Sequence, residues 1–287
     1  MHTKDETILR NTGFIVDEIQ NNLKSNVYLI AGCGSIGGSA VELLVRTGAR
    51  KFILADPDTY DYTNLNRQSA GYSDVGRNKA ELMKEKILWA NPNCDVEVYT
   101  EGLTADNTAD ILNKTDIVVD GVDVTTVNGW EAKYLLHETS KDKALPVISG
   151  YDMDATQYTI FYDYRNEDEL IFKGRINKAQ VESLNPLDSC LLLIGEKNMP
   201  LGIIKELHRF RNQEKDFISQ LGISANLFGV IATSIIIQIL NGKMVKTEIY
   251  LDMWDILDVY SNEDKNKQTI YRDAIKEEIT LLSKETL

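Results

Sequence analysis

The amino-acid sequence predicts an α/β protein with a doubly wound, mostly parallel sheet and antiparallel strands nearer the C-terminus. An apolar strand, a glycine-rich turn and an amphipathic helix open the pattern. Predicted strands then alternate with predicted helices up to about residue 165, a spacing typical of parallel sheets covered by helices. These observations together indicate a Rossmann-like fold.

The opening unit is a strand, a turn, a helix and a second strand. Val27–Ala31 is an apolar run that ends in the sequence GCGSIG, and Lys51–Ala55 is a second apolar run that leads into Asp56. The glycines of this GxGxxG turn are Gly32, Gly34 and Gly37. Such a turn lets the backbone approach phosphate at a helix N-terminus, and the acid after the second strand can bind ribose hydroxyls. We therefore predict a nucleotide site here.

A long polar loop follows the second strand and holds the next candidate binding residues. Arg67 can pair with phosphate through two N–H groups, while Asn64 and Gln68 can hold neighbouring oxygens. Asp58 lies in the same loop. The next predicted helix opens at Gly76, and Lys79 near its start can place a positive charge at the α-phosphate. Loops at the carboxyl ends of parallel strands are where α/β proteins build binding sites.

The later elements of the first half continue the alternation. Asp116–Asp120 is an apolar run bounded by acids, typical of a buried parallel strand, and Asp123 lies just past its end. Asn128–Thr139 is a predicted helix, Pro146–Gly150 a strand, and Gln157–Tyr162 a strand that we expect to be antiparallel. This order completes the predicted sheet.

These motifs together resemble the ThiF/MoeB/HesA superfamily, the adenylating domain of ubiquitin-activating-type enzymes. The resemblance is carried by the GxGxxG turn, NLNRQ at 64–68, GRNK at 76–79 and DGVD at 120–123. It extends from the N-terminus to about Phe161 and is weaker near Ser224–Gly242. It implies binding of ATP and Mg²⁺ and the activation of a carboxylate as an acyl-adenylate. The acyl group would then pass to a thiol, an amine or an amide.

The resemblance also implies a role for each matching residue. Asp56 would orient the ribose, Arg67 and Lys79 would neutralise phosphate charge, and Asp123 would coordinate Mg²⁺. An arginine near the N-terminus of the family reaches the ATP phosphates of the partner subunit, and Arg10 is the candidate for this role in a homodimer. A plain exposed arginine near a chain end is the alternative for Arg10.

Two departures from the family pattern limit what the resemblance implies. Val124 stands where the family often has asparagine, which weakens any inference about substrate contacts there. The sequence has three cysteines and no CxxC pair, so the structural zinc site of several members is not expected.

Composition and charge exclude some partners. Of the 287 residues 43% are hydrophobic and 26% are charged, and the net charge is −13, which argues against a nucleic-acid-binding surface. The apolar stretch Leu227–Leu240 is too short to cross a bilayer, so we expect a buried helix there and no membrane partner. The N-terminal sequence has no apolar signal region, and we expect a cytoplasmic protein.

The second half of the chain is less informative. We expect residues 1–165 to form an N-terminal arm and the ATP-binding core, and residues 166–287 to pack on the same domain as one unit. Ile203–Leu221 is a predicted helix with Phe217 inward, Thr247–Tyr260 alternates as strands, and Thr269–Leu287 is a predicted surface helix. Cys190 lies in a segment that we expect to be a loop. It is either an acyl-accepting nucleophile or a buried structural thiol.

Three functions remain open from the sequence. The first is an ATP-dependent enzyme that adenylates the carboxylate of a small molecule, a peptide or a carrier protein. The second is an NAD-dependent oxidoreductase that uses the same glycine turn, although no later residue stands out for hydride transfer. The third is a nucleotide-binding scaffold that assists an activating enzyme. The set of Asp56, Arg67, Lys79 and Asp123 favours the first.

Overall fold

The computed structural model describes residues 5–257 together with residues 273, 275, 276 and 280. Its centre is a seven-stranded sheet. The strands are β1 Val27–Ala31, β2 Lys51–Ala55, β3 Asp95–Tyr99, β4 Ile117–Asp120, β5 Pro146–Met153, β6 Thr156–Asp163 and β7 Glu248–Asp252. The helices are α1 Asp17–Ser25, α2 Ser35–Thr47, α3 Lys79–Ala90, α4 Thr108–Asn113, α5 Val127–Asp142, α6 Lys178–Ser183, α7 Pro186–Ile194, α8 Leu201–Arg211, α9 Gly222–Leu240 and α10 Met253–Ile256.

The strand order places a crevice at the carboxyl edge of the sheet. The order is β3-β2-β1-β4-β5-β6-β7. The first five strands pair in parallel, and β6 pairs antiparallel with both β5 and β7. The strands β2 and β3 therefore lie on one side of β1, and the next strand in the chain, β4, lies on the other side. Ligands of open α/β sheets bind where the strand order reverses in this way. The predicted fold class is confirmed.

Helices cover both faces of the sheet. One face packs against α1, α2, α3 and α9, and buried side chains of all four helices belong to one apolar cluster with the strands. The other face packs against α4 to α8 in a second apolar cluster. Because β7 pairs with β6, the C-terminal half adds a strand to the sheet that the N-terminal half begins.

Helix α9 is the most apolar helix that the structure describes. Over an 18-residue stretch of this 19-residue helix the mean hydropathy is 2.0, so by length and composition alone the helix could cross a membrane, yet half of that stretch is buried. Phe228 and Ile236 on α9 are fully buried in the cluster with α2 and the sheet. The expected buried helix is therefore present and begins earlier than predicted.

Several predicted boundaries in the second half are wrong. The expected loop around Cys190 is helix α7, because Asn185 caps its first turn by accepting hydrogen bonds from the N–H groups of residues 187 and 188. Helix α8 ends at Arg211, since Gln213 has a φ of 58°, and Phe217 is 61% exposed rather than inward.

The alternation predicted over 247–260 also gives way to a helix after β7. Asp252 accepts hydrogen bonds from the N–H groups of Trp254 and Asp255, which starts α10. The predicted helix 269–287 lies outside the described residues apart from four positions.

Candidate functional site

A cavity of about 860 Å³ lies at the carboxyl edge of the sheet and gathers most of the predicted site residues. Those that line it are Gly32, Gly34, Asp56, Asp58, Asn64, Arg67, Gln68, Lys79 and Asp123. These residues come from the ends of β1, β2 and β4 and from the start of α3, so the sheet topology brings them together. Gly37 and Arg10 do not line this cavity.

The glycine turn is held open by close backbone contacts. Gly32 has a φ of +82°, and a Cβ there would lie 2.3 Å from the backbone oxygen of Gly121. A Cβ on Gly37 would lie 1.9 Å from the oxygen of Gly32, so Gly37 serves the approach of α2 to the turn and not direct contact with a ligand. The turn therefore presents backbone to the cavity at the N-terminus of α2.

Asp56 fixes the turn as well as facing the cavity. Its Oδ2 accepts a hydrogen bond from the Cys33 N–H at 2.6 Å, and its Oδ1 accepts one from the Asp58 N–H at 2.8 Å. Burial raises the pKa of Asp56, while the nearby Lys79 opposes the shift. Each oxygen keeps capacity for one further donor, as a ribose hydroxyl would supply.

Lys79 is held at the cavity wall by an ion pair. Its Nζ donates to Asp58 Oδ2 at 2.8 Å, and the lysine is only 8% exposed. Helix α3 begins at Lys79 and not at Gly76, because Asn78 caps it by accepting from the N–H groups of residues 80 and 81. The Asn78 amide also donates to the Asp56 carbonyl at 3.0 Å. The cap thus anchors α3 to the loop after β2.

Arg67 and Gln68 face the cavity with polar atoms that lack partners. Arg67 Nη1 donates to the Thr63 carbonyl at 2.9 Å and to Asn66 Oδ1 at 3.0 Å. Arg67 Nε and Gln68 Oε1 are buried, and no described residue bonds to either atom. Burial lowers the pKa of Arg67, which nevertheless stays a cation. A half-buried guanidinium whose Nε–H lacks an acceptor suits an anionic ligand.

Asp123 lines the cavity from the loop that follows β4. It is exposed, and its two oxygens accept hydrogen bonds from the N–H and the hydroxyl of Thr125, both at 2.8 Å. Among the residues that the structure describes, no three His, Cys, Asp or Glu side chains group as a metal site. One carboxylate completed by phosphate oxygens and water is the arrangement that Mg²⁺ commonly takes.

Cys190 lines the cavity from α7. Its Sγ lies 3.5 Å from the Val124 carbonyl oxygen. Burial raises the pKa of the thiol to about 12, so at neutral pH little reactive thiolate forms. These features favour the structural interpretation over the acyl-accepting one.

Asp152 is a cavity residue that was not predicted from the sequence, and it lines the cavity from the end of β5. Ser35 Oγ, in the first turn of α2, donates to Asp152 Oδ2 at 3.1 Å. Burial raises the pKa of Asp152 to about 7, although Ser35 and Arg67 oppose the shift. The predicted strand stopped at Gly150, whereas β5 continues to Met153. An acid just beyond a strand end was the available signal.

The chain is similar to a known protein family and to several known proteins. The sequence profile of the ThiF family matches residues 8–270. A probable molybdopterin-synthase adenylyltransferase of Porphyra purpurea is 28% identical over 174 residues, which is 60% of this chain and 44% of that protein. The chain thus spans less than half the length of this relative. The tRNA threonylcarbamoyladenosine dehydratase 1 of Saccharomyces cerevisiae is 24% identical over 94% of this chain and 68% of that protein.

Solved structures share the fold. The E. coli tRNA N6-threonylcarbamoyladenosine dehydratase, crystallised in complex with ATP, superposes with a TM-score of 0.59. The alignment has 20% identity and covers 83% of this chain and 94% of that one. The family profile extends over nearly the whole described chain, including the glycine turn, the loop after β2 and Asp123. The chain belongs to the ThiF family.

Proposed function

We propose that the protein is an ATP- and Mg²⁺-dependent adenylyltransferase that activates a carboxylate as an acyl-adenylate. The observation that carries the proposal is the convergence of Arg67, Lys79 and Asp123 on one cavity beside the glycine turn. Two cations and one carboxylate suit a polyphosphate with a divalent cation. Further support comes from the Porphyra relative, which is named an adenylyltransferase, and from the E. coli dehydratase, whose structure contains ATP.

The chemistry needs charge neutralisation more than proton transfer. An oxygen of the substrate carboxylate would bond to the α-phosphorus, while the bond from that phosphorus to the bridging oxygen breaks and pyrophosphate leaves. An ionised carboxylate needs no base for this step, so positioning and electrostatic stabilisation dominate. Arg67 and Lys79 would offset phosphate charge, and Asp56 would hold the ribose. Mg²⁺ on Asp123 would neutralise further charge when bound.

The partners of the reaction are also part of the proposal. The carboxylate would belong to a small molecule, a peptide or a carrier protein, in keeping with the net charge of −13, which disfavours nucleic acid.

We propose a homodimer in which Arg10 of one subunit reaches phosphates bound by the other, because Arg10 is exposed and outside the cavity of its own chain. The cysteines at 33, 94 and 190 are free, as is common in the cytoplasm, which is the compartment we propose.

The nucleotide product tests the proposal. The protein is incubated with Mg·ATP, hydroxylamine as acyl acceptor, and a mixture of N-acetylated amino acids and short peptides. Adenylation releases AMP and pyrophosphate in equal amounts, and R67A is expected to lower the rate at least ten-fold. R77A is the matched control, because Arg77 bonds to Asp74 and Glu85 away from the cavity. Release of ADP and phosphate instead would contradict the proposal.

A further inference from the structure

The β5 end of the cavity holds oxygen atoms that nucleotide phosphates cannot satisfy. Asp152 Oδ1 and Gln68 Oε1 are both buried, and within the described part of the chain no group donates a hydrogen bond to them. Both residues line the cavity. A buried acceptor without a donor is unfavourable, so these atoms require N–H or O–H groups from a ligand. Ionised phosphates carry no such donors.

The sheet order separates Asp152 from the proposed ribose position. Asp56 follows β2, Asp152 lies on β5, and the strands β1 and β4 lie between them. Three strand spacings of about 4.8 Å amount to roughly 14 Å. The glycine turn and Asp123 follow the two intervening strands, so the phosphates would occupy the middle of the crevice. The donor to Asp152 therefore belongs to the acyl substrate and not to the ribose.

Beyond Asp152 the cavity continues between β5 and the helices α7 and α8. Mostly apolar side chains form this part of the wall, and all of them are buried. They are Tyr151, Met153, Leu191, Ile194, Met199 and Ile203. A wall of this kind favours an apolar ligand group, because burial of apolar surface contributes about 25 cal/mol per Å².

The unpaired acceptor and the apolar wall together define a class of substrate. We propose that the β5 end of the cavity binds an amino-acid or peptide carboxylate with a large apolar side chain, whose N–H group donates to Asp152 Oδ1. This inference rests on the proposed adenylation. Ser35 Oγ already donates to the other oxygen of Asp152, which fixes the orientation of the carboxyl group. Asp152 is thus a specificity-determining residue for the substrate.

Three matched carboxylates test the proposal through pyrophosphate release with Mg·ATP and hydroxylamine. N-acetylleucine has both the N–H group and the apolar side chain. The compound 4-methylpentanoic acid lacks the N–H group, and N-acetylglycine lacks the side chain. The wild-type kcat/KM for N-acetylleucine is expected to exceed each of the other values at least ten-fold.

Variants separate recognition from folding. D152A removes the acceptor and is expected to abolish the preference for N-acetylleucine over 4-methylpentanoic acid. D152N keeps an oxygen acceptor and is expected to keep most of that preference. I203W fills the apolar wall and is expected to slow N-acetylleucine at least ten-fold and to slow N-acetylglycine less. D154N is the matched control, since Asp154 lies in the hairpin turn outside the cavity and asparagine tolerates its φ of 56°.

The outcomes distinguish this inference from the proposed function. Equal use of the three carboxylates, or an unchanged preference in D152A, would overturn the inference. Absence of pyrophosphate release with all three, while calorimetry detects Mg·ATP binding, would also overturn it and leave adenylation of another substrate class standing. Absence of Mg·ATP binding would overturn the inference and the proposed function together.

Discussion

Asp120 lies at the centre of a buried hydrogen-bond network. Its Oδ2 accepts hydrogen bonds from Lys133 Nζ at 2.5 Å, His137 Nε2 at 3.0 Å and Ser149 Oγ at 2.6 Å. Asp120, Lys133 and His137 are fully buried. Burial alone would raise the pKa of Asp120, but Lys133 and His137 hold it below its ordinary range. This network fixes β4 to α5 directly behind the cavity.

The substitution D120N is expected to destabilise the fold by about 3–5 kcal/mol, because it leaves the Lys133 ammonium buried without a carboxylate. Urea unfolding measures the change. The double variant D120N/K133M removes the buried charge as well and is expected to recover part of the lost stability. Equal stability of D120N and the wild type would show that the ion pair contributes nothing.

Asp152 gives the stability a distinct pH dependence. Its pKa rises from an ordinary value near 3.8 to about 7 on folding, so the folded chain binds the proton more tightly. The stabilisation is fully present below pH 3.8 and is lost as the pH rises towards 7. Since one pKa unit corresponds to about 1.4 kcal/mol, the upper bound of the loss is about 4 kcal/mol.

D152N removes this titration and keeps the shape of the side chain. Urea unfolding at pH 5 and pH 8 is expected to show that D152N gains stability relative to the wild type at the higher pH. A difference between the two proteins that does not change with pH would contradict the burial of an ionisable Asp152.

At the scale of elements, two glycines at the start of α2 have different roles: Gly37 allows close packing of the backbone, and Gly34 faces the cavity. A Cβ on Gly37 would meet the Gly32 oxygen at 1.9 Å, whereas a Cβ on Gly34 would meet Gln68 Nε2 at 3.5 Å. G37A is therefore expected to lower thermal stability by several degrees, since backbone must move. G34A is expected to fold normally and to weaken ATP binding, because its methyl group enters the cavity. Normal stability of G37A would contradict the close packing of α2 on the turn.

Helix ends account for most of the element boundaries that sequence reasoning missed. Asn78, Asn185 and Asp252 each cap a helix through side-chain oxygens, at positions that the sequence analysis assigned to a helix interior, a loop and a strand. Short polar residues favour caps, turns and loops alike, so composition alone does not separate these outcomes. Periodicity located the elements, and local hydrogen bonds decided where they begin.

At the scale of the whole molecule, the parallel core was predictable because its signals are local and repeated. Apolar runs, the glycine turn and acids at strand ends recur within short windows, and nine of the eleven predicted site residues line one cavity. The roles of those residues stay predictions. Asp152 was missed because its partners, Ser35 and Arg67, are far away in the chain and meet it only through the strand order. The buried pairing of His137 with Asp120 joins β4 to the next helix in the chain, and no ligand or triad spacing in the sequence indicates it.

The two halves of the chain are expected to depend on each other for stability. Helices α7 and α9 from the second half cover opposite faces of the sheet, and both belong to the apolar clusters. A chain that ends at residue 165 would expose these faces. It is expected to lack a cooperative thermal transition by circular dichroism, whereas the full chain shows one. A sigmoidal transition of the short chain would show that the first half is a separate domain.

Calorimetric titration with Mg·ATP and with NAD tests the central claim most directly. The wild type is expected to bind Mg·ATP and not NAD, with R67A and D123A each weakening the affinity at least ten-fold, or about 1.4 kcal/mol. R77A is expected to bind Mg·ATP like the wild type. Binding of NAD without binding of Mg·ATP would contradict the account, because the glycine turn would then serve a dinucleotide and the site would hold no α-phosphate with pyrophosphate as its leaving group.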